Sequence, residues 1–389
     1  MAPVLGRYYP DFEIKSAKGC HLVGTDGEKY LDFSSGIAVC STGYGHPRVV
    51  AAAVKQLKKL IHICIGIANY EPYIALAEAL SRIVPLKEAQ FFFCQSGSEA
   101  VEAALKLAKY ATKKPGIIAL KGAFHGRTLG ALSVTTSKMK YRDGYEPLLP
   151  EVYVAKPDLK EIETLLAAKQ IAGVIIEPIL GEGGYIVQDK AFVRGLRALT
   201  AKYQALLIFD EVQTGFGRTG QWFAADHFAV TPDIIVMAKG IASGFPLGAI
   251  AAPAALMAEW SPGAHGSTFG GNPVCCAAAI ATIEVINKEK LLKNASKLGG
   301  YLQQKLVKLK AKYPVIKEVR GLGLMIGVDF GDPAVVKKIM SLCLSNHLVL
   351  ISTGGDGTVI RFIPPLIVKK KDIDRAVTIF EAALDGLAH

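Results

Sequence analysis

Residues 205–212 have the sequence ALLIFDEV, in which an uninterrupted apolar run ends in two acidic residues, Asp210 and Glu211. A short apolar run that ends in a polar group is typical of a strand buried in a parallel sheet. Ligands of open α/β sheets bind outside the carboxyl ends of such strands, so we expect Asp210 at a ligand site. An acid that only caps a turn is the alternative for this segment.

Five further apolar runs of the same kind lie elsewhere in the chain, at 90–94, 116–120, 173–177, 233–237 and 247–252. Amphipathic patterns with helical spacing lie between the runs, at 99–112, 158–169 and 190–203. Strands that alternate with helices indicate an α/β fold. The sequence therefore predicts a mostly parallel, doubly wound sheet with these six runs as its strands.

Both ends of the chain have a different pattern. Residues 11–33 alternate in polarity, with turn signals at 24–27, and predict a short antiparallel hairpin. After residue 285 the sequence predicts a long lysine-rich helix, a strand at 323–329, another helix and a last pair of strands. We therefore expect a large domain at 51–285 and a smaller α+β domain formed by 1–50 and 286–389.

The 389-residue chain has 45 Lys and Arg against 34 Asp and Glu, and its formal net charge of +11 favours anionic partners. Hydrophobic residues make up 51% of the chain, which excludes extended disorder. A nucleic-acid-binding protein is an alternative from another functional class. We expect no nucleic-acid partner, because aromatic and basic residues are not interleaved and no recognition module is visible.

The seven cysteines form no C-x-x-C motif and accompany no histidine pair at zinc-finger spacing. We therefore expect reduced thiols, no structural metal and a cytoplasmic protein. Residues 1–10 contain no apolar stretch after a basic start, which argues against a secretory signal. No apolar run reaches the roughly 20 residues of a membrane span, so we expect no membrane segment.

Two further segments carry residues suited to binding and chemistry. Residues 95–99, QSGSE, open a helical pattern; Ser96 and Glu99 fit a capping box, and the small residues leave N–H groups free for an anion. Lys239 lies two residues after the buried run at 233–237. Apolar surroundings there would lower the pKa of its amine and make it a nucleophile. The alternatives are an ordinary capped helix and a lysine that reaches solvent.

An anion cup, an acid and a desolvated lysine are together what pyridoxal phosphate requires. The lysine forms a Schiff base with the cofactor, the acid keeps the pyridine nitrogen protonated, and the helix end binds the phosphate. Neither G-x-x-x-x-G-K-[ST] nor a strand-following G-x-G-x-x-G is present, so the main support for ATP or NAD is missing. The three signals favour pyridoxal phosphate as cofactor.

Several blocks of the sequence resemble class III pyridoxal-phosphate aminotransferases, in the order in which that family has them. The blocks are SGSEA at 96–100, FHGRT at 124–128, EP at 177–178, GEGG at 181–184, FDEVQTGFGRTG at 209–220, AKG at 238–240 and GSTFGGNP at 266–273. The resemblance covers nearly the whole chain. It implies fold type I, with a large α/β domain, a smaller α+β domain and pyridoxal 5'-phosphate as cofactor.

The resemblance also implies a role for each matching residue. Lys239 matches the lysine that holds the cofactor and moves the substrate proton, and Asp210 matches the partner of the pyridine nitrogen. The other implied cofactor-binding positions are Ser96, Gly97 and Ser98 at the phosphate, Phe124 on the ring face, Val212 and Gln213 beside the ring, and Thr268 reaching the phosphate from the neighbouring subunit. A homodimer with shared sites follows. His125 is expected only to pack beside Phe124.

The resemblance also implies that arginines recognise the substrate, because the planar guanidinium group binds a carboxylate through two parallel hydrogen bonds. Arg127 matches the residue that holds the carboxylate far from the reacting amine, and Arg361 the one that holds a carboxylate next to the reacting carbon. Glu182 matches an acid that pairs with Arg361 until 2-oxoglutarate binds, and Glu177 lines the same pocket. The implied partners are a small amino donor and a 2-oxo acid acceptor.

The choice of donor rests on fewer positions. Ile37 stands where ornithine-type members have a tyrosine, which argues against free ornithine. Residues 263–268 and 363–366 resemble 4-aminobutyrate-type members, whereas the N-terminal segment resembles acetylornithine-type members. We expect 4-aminobutyrate as the donor, with acetylornithine, or racemisation of an amino acid on the same fold, as alternatives.

Overall fold

The computed structural model describes residues 2, 4 and 6–387. Its strands are β1 (Ile14–Lys18), β2 (His21–Gly24), β3 (Lys29–Asp32), β4 (Ala89–Cys94), β5 (Gly116–Leu120), β6 (Val152–Ala155), β7 (Ile171–Ile176), β8 (Ile179–Leu180), β9 (Ile186–Val187), β10 (Leu206–Asp210), β11 (Ile234–Met237), β12 (Gly248–Pro253), β13 (Glu318–Leu322), β14 (Met325–Asp329), β15 (Leu348–Val349), β16 (Ile351–Thr353) and β17 (Val359–Phe362). Its helices are α1 (Ser35–Ala38), α2 (Pro47–Lys59), α3 (Glu71–Ser81), α4 (Gly97–Thr112), α5 (Leu129–Ser133), α6 (Leu159–Ala168), α7 (Lys190–Lys202), α8 (Ala225–Phe228), α9 (Ala254–Met257), α10 (Pro273–Lys288), α11 (Leu291–Lys312), α12 (Pro333–Ser345) and α13 (Lys370–Asp385). Short 3-10 turns lie at Met139–Tyr141 and Lys239–Ile241.

The central sheet has seven strands in the order β4-β12-β11-β10-β7-β5-β6. Neighbouring strands are parallel except for β12, which runs antiparallel to both β4 and β11. The predicted mostly parallel sheet is confirmed, and each of the six predicted strands is present within two residues at either end. The prediction of six strands was wrong by one, because β6 has only four residues, is partly exposed and lies at the sheet edge beside β5.

Helices cover both faces of this sheet, because successive strand side chains point to opposite faces. Leu207 and Phe209 of β10 join an apolar cluster that includes residues of α6 and α7. Ile208, between them, joins a second cluster with residues of α4. The doubly wound arrangement expected from the alternation of strands and helices is therefore confirmed.

Three adjacent parallel strands deliver charged residues to one edge of the sheet. Glu177 follows the last residue of β7, Asp210 is the last residue of β10, and Lys239 lies two residues beyond β11. Their registers align, since Phe209 pairs with Ile176 and Asp210 pairs with Val236. The pairing of the strands thus brings together three residues that lie 33 and 29 positions apart in the chain.

The two ends of the chain share a second sheet, in the order β1-β2-β3-β15, in which β15 pairs in parallel with β3. A third sheet has the order β13-β14-β17-β16. The predicted hairpin near the N-terminus is confirmed by the antiparallel pairs β1-β2 and β2-β3. The domain boundaries at 50 and 285 stay a prediction.

Some expectations concern the outermost residues. The interpretation of 1–10 as lacking a secretory signal, and the domain limits at 1 and 389, fall partly outside the described residues. Within the described part of the chain, no helix has the length and apolar composition needed to cross a bilayer. All seven cysteines are free.

Candidate active site

A cavity of about 330 Å³ opens at the carboxyl ends of β7, β10 and β11. Ten of the residues singled out in the sequence line it: Ser96, Gly97, Ser98, Phe124, Glu177, Glu182, Asp210, Val212, Gln213 and Lys239. Switch points and strand ends are the usual binding sites of such sheets. The structure therefore gathers residues from six segments of the chain around one space.

We call the part of the cavity lined by Glu177, Asp210 and Lys239 its closed end, and Asp210 is held there from two sides. Its Oδ2 lies 2.7 Å from Nδ1 of His125, and its Oδ1 accepts a hydrogen bond of 3.0 Å from the backbone N–H of Val212. Both side chains are buried. The expectation that His125 only packs beside Phe124 was wrong, because its ring contacts the carboxylate that the sequence singled out.

His125 is itself well anchored, since its backbone N–H donates to Oγ1 of Thr135 at 2.9 Å. Its Nε2 is buried and has no hydrogen-bond partner among the described residues. The sequence indicated only that His125 stands next to Phe124. Its contact with Asp210 joins residues 85 positions apart, so no local pattern could have predicted it.

Lys239 starts the 3-10 turn after β11 and adopts a left-handed backbone conformation, with φ of 47°. Such a conformation costs a non-glycine residue about 1–3 kcal/mol and occurs often at active sites. Burial lowers the pKa of its amine, although Asp210, Glu182 and Glu177 oppose this shift. The predicted desolvated lysine is therefore present at the cavity wall.

The N-terminus of α4 forms one wall of the cavity. Ser96 caps the helix, and its hydroxyl accepts from the backbone N–H of Glu99 at 3.2 Å. The backbone N–H that donates to the Glu99 carboxylate is that of Gln95, at 2.9 Å, and the Ser96 hydroxyl donates to the same carboxylate at 3.1 Å. A Cβ on Gly97 would lie 3.0 Å from the Val212 side chain, so a larger residue would narrow the cavity here.

Glu177 and Gln213 are fixed by hydrogen bonds inside the cavity wall. The Glu177 carboxylate accepts from the backbone N–H groups of Phe124 and Gly181, each at 2.8 Å. Burial nevertheless raises the pKa of Glu177 to about 7. The side-chain oxygen of Gln213 accepts from the hydroxyl of Tyr185 at 2.7 Å, a buried residue to which the sequence analysis gave no role.

Arg361, on β17, is fully buried and makes three polar contacts, one of them with the cavity-lining residue Glu182. Its Nη1 donates to Glu182 at 2.6 Å, and its Nη2 donates to the Ser352 carbonyl at 2.7 Å and to the hydroxyl of Tyr8 at 2.8 Å. Burial opposes ionisation of Glu182, but the charge and hydrogen bond of Arg361 outweigh it and lower the pKa of Glu182. The structure thus contains the pair that the resemblance implied.

Arg127 has different surroundings. Its guanidinium stacks on the ring of Tyr141, 4.0 Å from the centroid, and lies 5.9 Å from that of Phe124. Among the described residues it has no carboxylate partner within salt-bridge distance. The ammonium groups of Lys138 and Lys140 lie 5.9 Å from the same Tyr141 ring. This exposed cationic group can therefore receive an anion from solvent.

Of the predicted site residues, Ile37, Arg127, Thr268 and Arg361 do not line the cavity. Ile37 is 38% exposed and belongs to a left-handed turn in which all four residues of 35–38 have positive φ. Asp32 holds this turn by accepting from the N–H groups of Ser34 and Ser35, each at 2.8 Å. Thr268 is exposed, two residues before a buried glycine, Gly270.

Comparison with known proteins gives consistent matches over nearly the whole chain. A sequence model described as aminotransferase class-III matches residues 6–384. The acetylornithine aminotransferase of Archaeoglobus fulgidus is 43% identical, with 94% of each chain covered. The 4-aminobutyrate aminotransferase of Escherichia coli is 37% identical, with 98% of this chain and 95% of that protein covered.

Solved structures agree with these sequence matches. The ornithine aminotransferase of Toxoplasma gondii superposes with a TM-score of 0.93 at 30% identity, over 99% of this chain and 93% of that chain. Its description records pyridoxal phosphate, at partial occupancy, in the active site of that enzyme. The predicted fold type I is thereby confirmed.

Proposed function

This chain belongs to the aminotransferase class-III family, and on that premise we propose that it transfers the terminal amine of N-acetylornithine to 2-oxoglutarate. One observation carries the proposal: Lys239 and Asp210 line the cavity, and two differently held arginines flank it, Arg361 paired with the lining residue Glu182 and Arg127 beside the ring of the lining residue Phe124. The first group suits amine chemistry and the second suits substrates with carboxylates. The products would be the corresponding semialdehyde and glutamate.

The protein is a pyridoxal-phosphate-dependent transaminase, as its family is, and the residues of the cavity fit that cofactor. Ser96, Gly97 and Ser98 offer the start of α4 to a phosphate, because free N–H groups and the helix dipole favour an anion there. Asp210 would bind the pyridine nitrogen, while Phe124 would cover the ring face. Val212 and Gln213 would contact the remaining ring edge. When bound, the cofactor supplies an aldehyde for the amine and a ring that withdraws electrons.

Lys239 would hold the cofactor and later carry the proton. Once a donor is bound, the lowered pKa of the Lys239 amine would favour the neutral form, which can accept a proton from the reacting carbon. The Nζ atom of Lys239 would then hold this proton in the site and release it later in the reaction. His125 would act through Asp210, since their 2.7 Å contact keeps the carboxylate in place.

The two arginines would divide substrate recognition between them. Arg127 would bind the carboxylate that lies far from the reacting carbon. Donor and acceptor both have a carboxylate in that position. Arg361 would stay paired with Glu182 while the donor reacts, because the donor has no carboxylate next to the reacting carbon. 2-Oxoglutarate has such a carboxylate, and it would replace Glu182 as partner of Arg361.

The donor proposed here differs from the 4-aminobutyrate that the motifs favoured. Relatives described as acetylornithine aminotransferases reach 44% identity, whereas the 4-aminobutyrate enzyme of E. coli reaches 37%. Ile37, in place of a tyrosine, still argues against free ornithine. 4-Aminobutyrate remains the second candidate, because it presents the same distal carboxylate to Arg127.

A homodimer would complete the site. Phe269 is 58% exposed beside Thr268, and its ring lies 4.9 Å from that of His62. Ile61 and Ile67, on either side of His62, are 61% and 78% exposed. A group of exposed apolar side chains of this kind is typical of an interface, and Thr268 would then reach the phosphate of the neighbouring subunit. Light scattering tests this: a monomer at micromolar concentration would contradict it.

The decisive experiment follows the absorbance of the protein loaded with pyridoxal phosphate. N-Acetylornithine, 4-aminobutyrate and ornithine are each added without an acceptor. We expect N-acetylornithine to convert the visible band of the cofactor to the near-ultraviolet band of its amine form fastest, and 2-oxoglutarate to restore the visible band. If 4-aminobutyrate converted the band faster than N-acetylornithine, 4-aminobutyrate would take its place as the proposed donor.

Two other outcomes would overturn more than the donor. Inversion of a single-enantiomer α-amino acid without any acceptor would identify a racemase on this fold. Absence of a visible band after loading, together with salt-sensitive DNA binding, would contradict the enzyme itself.

A further inference from the structure

Tyr8 comes from the N-terminal segment and reaches the buried arginine of the third sheet. Its hydroxyl accepts from Nη2 of Arg361 at 2.8 Å and donates to the carbonyl of Ser352 at 3.1 Å. The side chain itself is 43% exposed, so one end of it meets solvent while the hydroxyl reaches Arg361. The contact joins residues 353 positions apart and has no counterpart in the sequence motifs.

The contacts of Arg361 fall into two groups on its two terminal nitrogens. Nη1 carries Glu182, and Nη2 carries Ser352 and Tyr8. Nε is buried without a partner among the described residues, so it does not help to orient the guanidinium. When Glu182 leaves, the plane of the guanidinium is held by the two contacts on Nη2.

On the basis of the proposed function, we propose that Tyr8 is a positioning residue for the acceptor half of the reaction. Its hydroxyl keeps the Arg361 guanidinium in the plane required for a carboxylate after Glu182 has been displaced. A carboxylate binds such a fork through two parallel hydrogen bonds, and these weaken when the fork rotates. The donor does not use this fork, because it has no carboxylate next to its reacting carbon.

Tyr8 should therefore matter in the half-reaction that uses 2-oxoglutarate and not in the half-reaction that uses the donor. Without its hydroxyl, Nη2 keeps a single partner, the Ser352 carbonyl, and Arg361 gains rotational freedom at the moment when 2-oxoglutarate binds. The donor half-reaction depends on Arg127 and on the closed end of the cavity, which Tyr8 does not touch. Loss of the hydroxyl should consequently weaken 2-oxoglutarate and leave the donor unaffected.

The test compares Tyr8→Phe with Tyr9→Phe in the full-length holoenzyme. Tyr9 is the matched control, because its hydroxyl donates to the Leu350 carbonyl at 2.5 Å in the same segment but does not touch Arg361. Calorimetry first measures binding of 2-oxoglutarate to the holoenzyme before any donor is added, when no amine is available for transfer. Single-turnover absorbance then measures each half-reaction.

We expect Tyr8→Phe to weaken binding of 2-oxoglutarate about tenfold, as for one lost hydrogen bond to a charged group. Its donor half-reaction should stay within about twofold of the wild type, and Tyr9→Phe should change neither. Equal losses in both half-reactions, unchanged binding of 2-oxoglutarate, or the same loss in Tyr9→Phe would overturn the inference. A wild-type protein that reacts with no ω-amino donor would instead overturn the proposed function.

Discussion

The two ends of the cavity are built in different ways. At the closed end, Glu177, Asp210 and Lys239 lie at the carboxyl ends of three neighbouring strands of one sheet, and buried hydrogen bonds hold the two carboxylates. At the open end, which we define by Glu182 and the two arginines that flank the cavity, Arg127 and Arg361 come from a loop and from a separate sheet, and a carboxylate binds just one of them. The closed end is therefore rigid and suits chemistry, whereas the open end has interchangeable partners and suits the selection of substrates.

The difference between the two arginines shows how one residue type serves two purposes. Arg361 is buried, so it needs an anion at all times, and Glu182 provides one. Arg127 is exposed on an aromatic face, where water and the Tyr141 ring stabilise its charge until a substrate arrives. Substitutions at each end should therefore change different kinetic constants.

Lys239→Ala should have the largest effect, since it removes the amine on which the closed end depends. Turnover should fall by at least about 10³-fold with every donor. Steady-state assays of glutamate formation measure the loss. Lys202→Ala is the control, because Lys202 is an exposed lysine paired with Glu163, and it should keep full activity. Residual turnover of Lys239→Ala close to that of the control would contradict the assigned role.

Glu182→Gln should separate donor from acceptor at the open end. Without the carboxylate, buried Arg361 has no anion while the donor reacts, so the donor half-reaction should slow about 30-fold. 2-Oxoglutarate no longer competes with Glu182 and should bind more tightly. Single-turnover kinetics give both values.

Glu318→Gln provides the matched control for this prediction, because Glu318 pairs with Arg320 near the surface. It should leave both half-reactions unchanged. If Glu182→Gln slowed the half-reaction with 2-oxoglutarate as much as the donor half-reaction, Glu182 would support the cavity generally and would not exchange with a substrate carboxylate.

His125→Phe should affect the closed end more moderately. The substitution keeps a ring of similar size but removes the hydrogen bond to Asp210, for a loss of about 1–2 kcal/mol or about tenfold in activity. Both half-reactions should slow equally, because both use the same cofactor. His46→Phe removes a histidine contact with Glu289 far along the chain and should have no such effect. Loss confined to one half-reaction would argue against action through Asp210.

Tyr141→Leu should have the smallest effect, at the Arg127 side of the open end. Loss of the aromatic face under an exposed guanidinium corresponds to about 0.5–1 kcal/mol, or a rise of about two- to fivefold in KM. KM should rise for donor and acceptor alike, with kcat unchanged. Tyr153→Leu, which removes a ring near Lys169, is the control. A change in kcat would mean that Tyr141 touches the reacting atoms.

Most of the fold followed from local patterns. Continuous apolar runs identified six strands of the central sheet, because strands covered on both faces must be apolar throughout. β6 escaped this pattern, since a short edge strand with exposed side chains lacks that requirement. The kink at 35–38 escaped as well, because its left-handed backbone depends on the buried carboxylate of Asp32.

The sequence by itself determined the strands, the charged residues at their ends and the family, because these depend on the order of residues within short segments. The tertiary structure alone decided which side chains meet. His125 contacts Asp210 across 85 positions, and Arg361 joins Glu182 across 179 and Tyr8 across 353. Periodicity reports whether a residue is buried, but it carries no information on its partner. Such contacts arise only when separate strands and loops pack against each other, and here they hold the reactive groups in place.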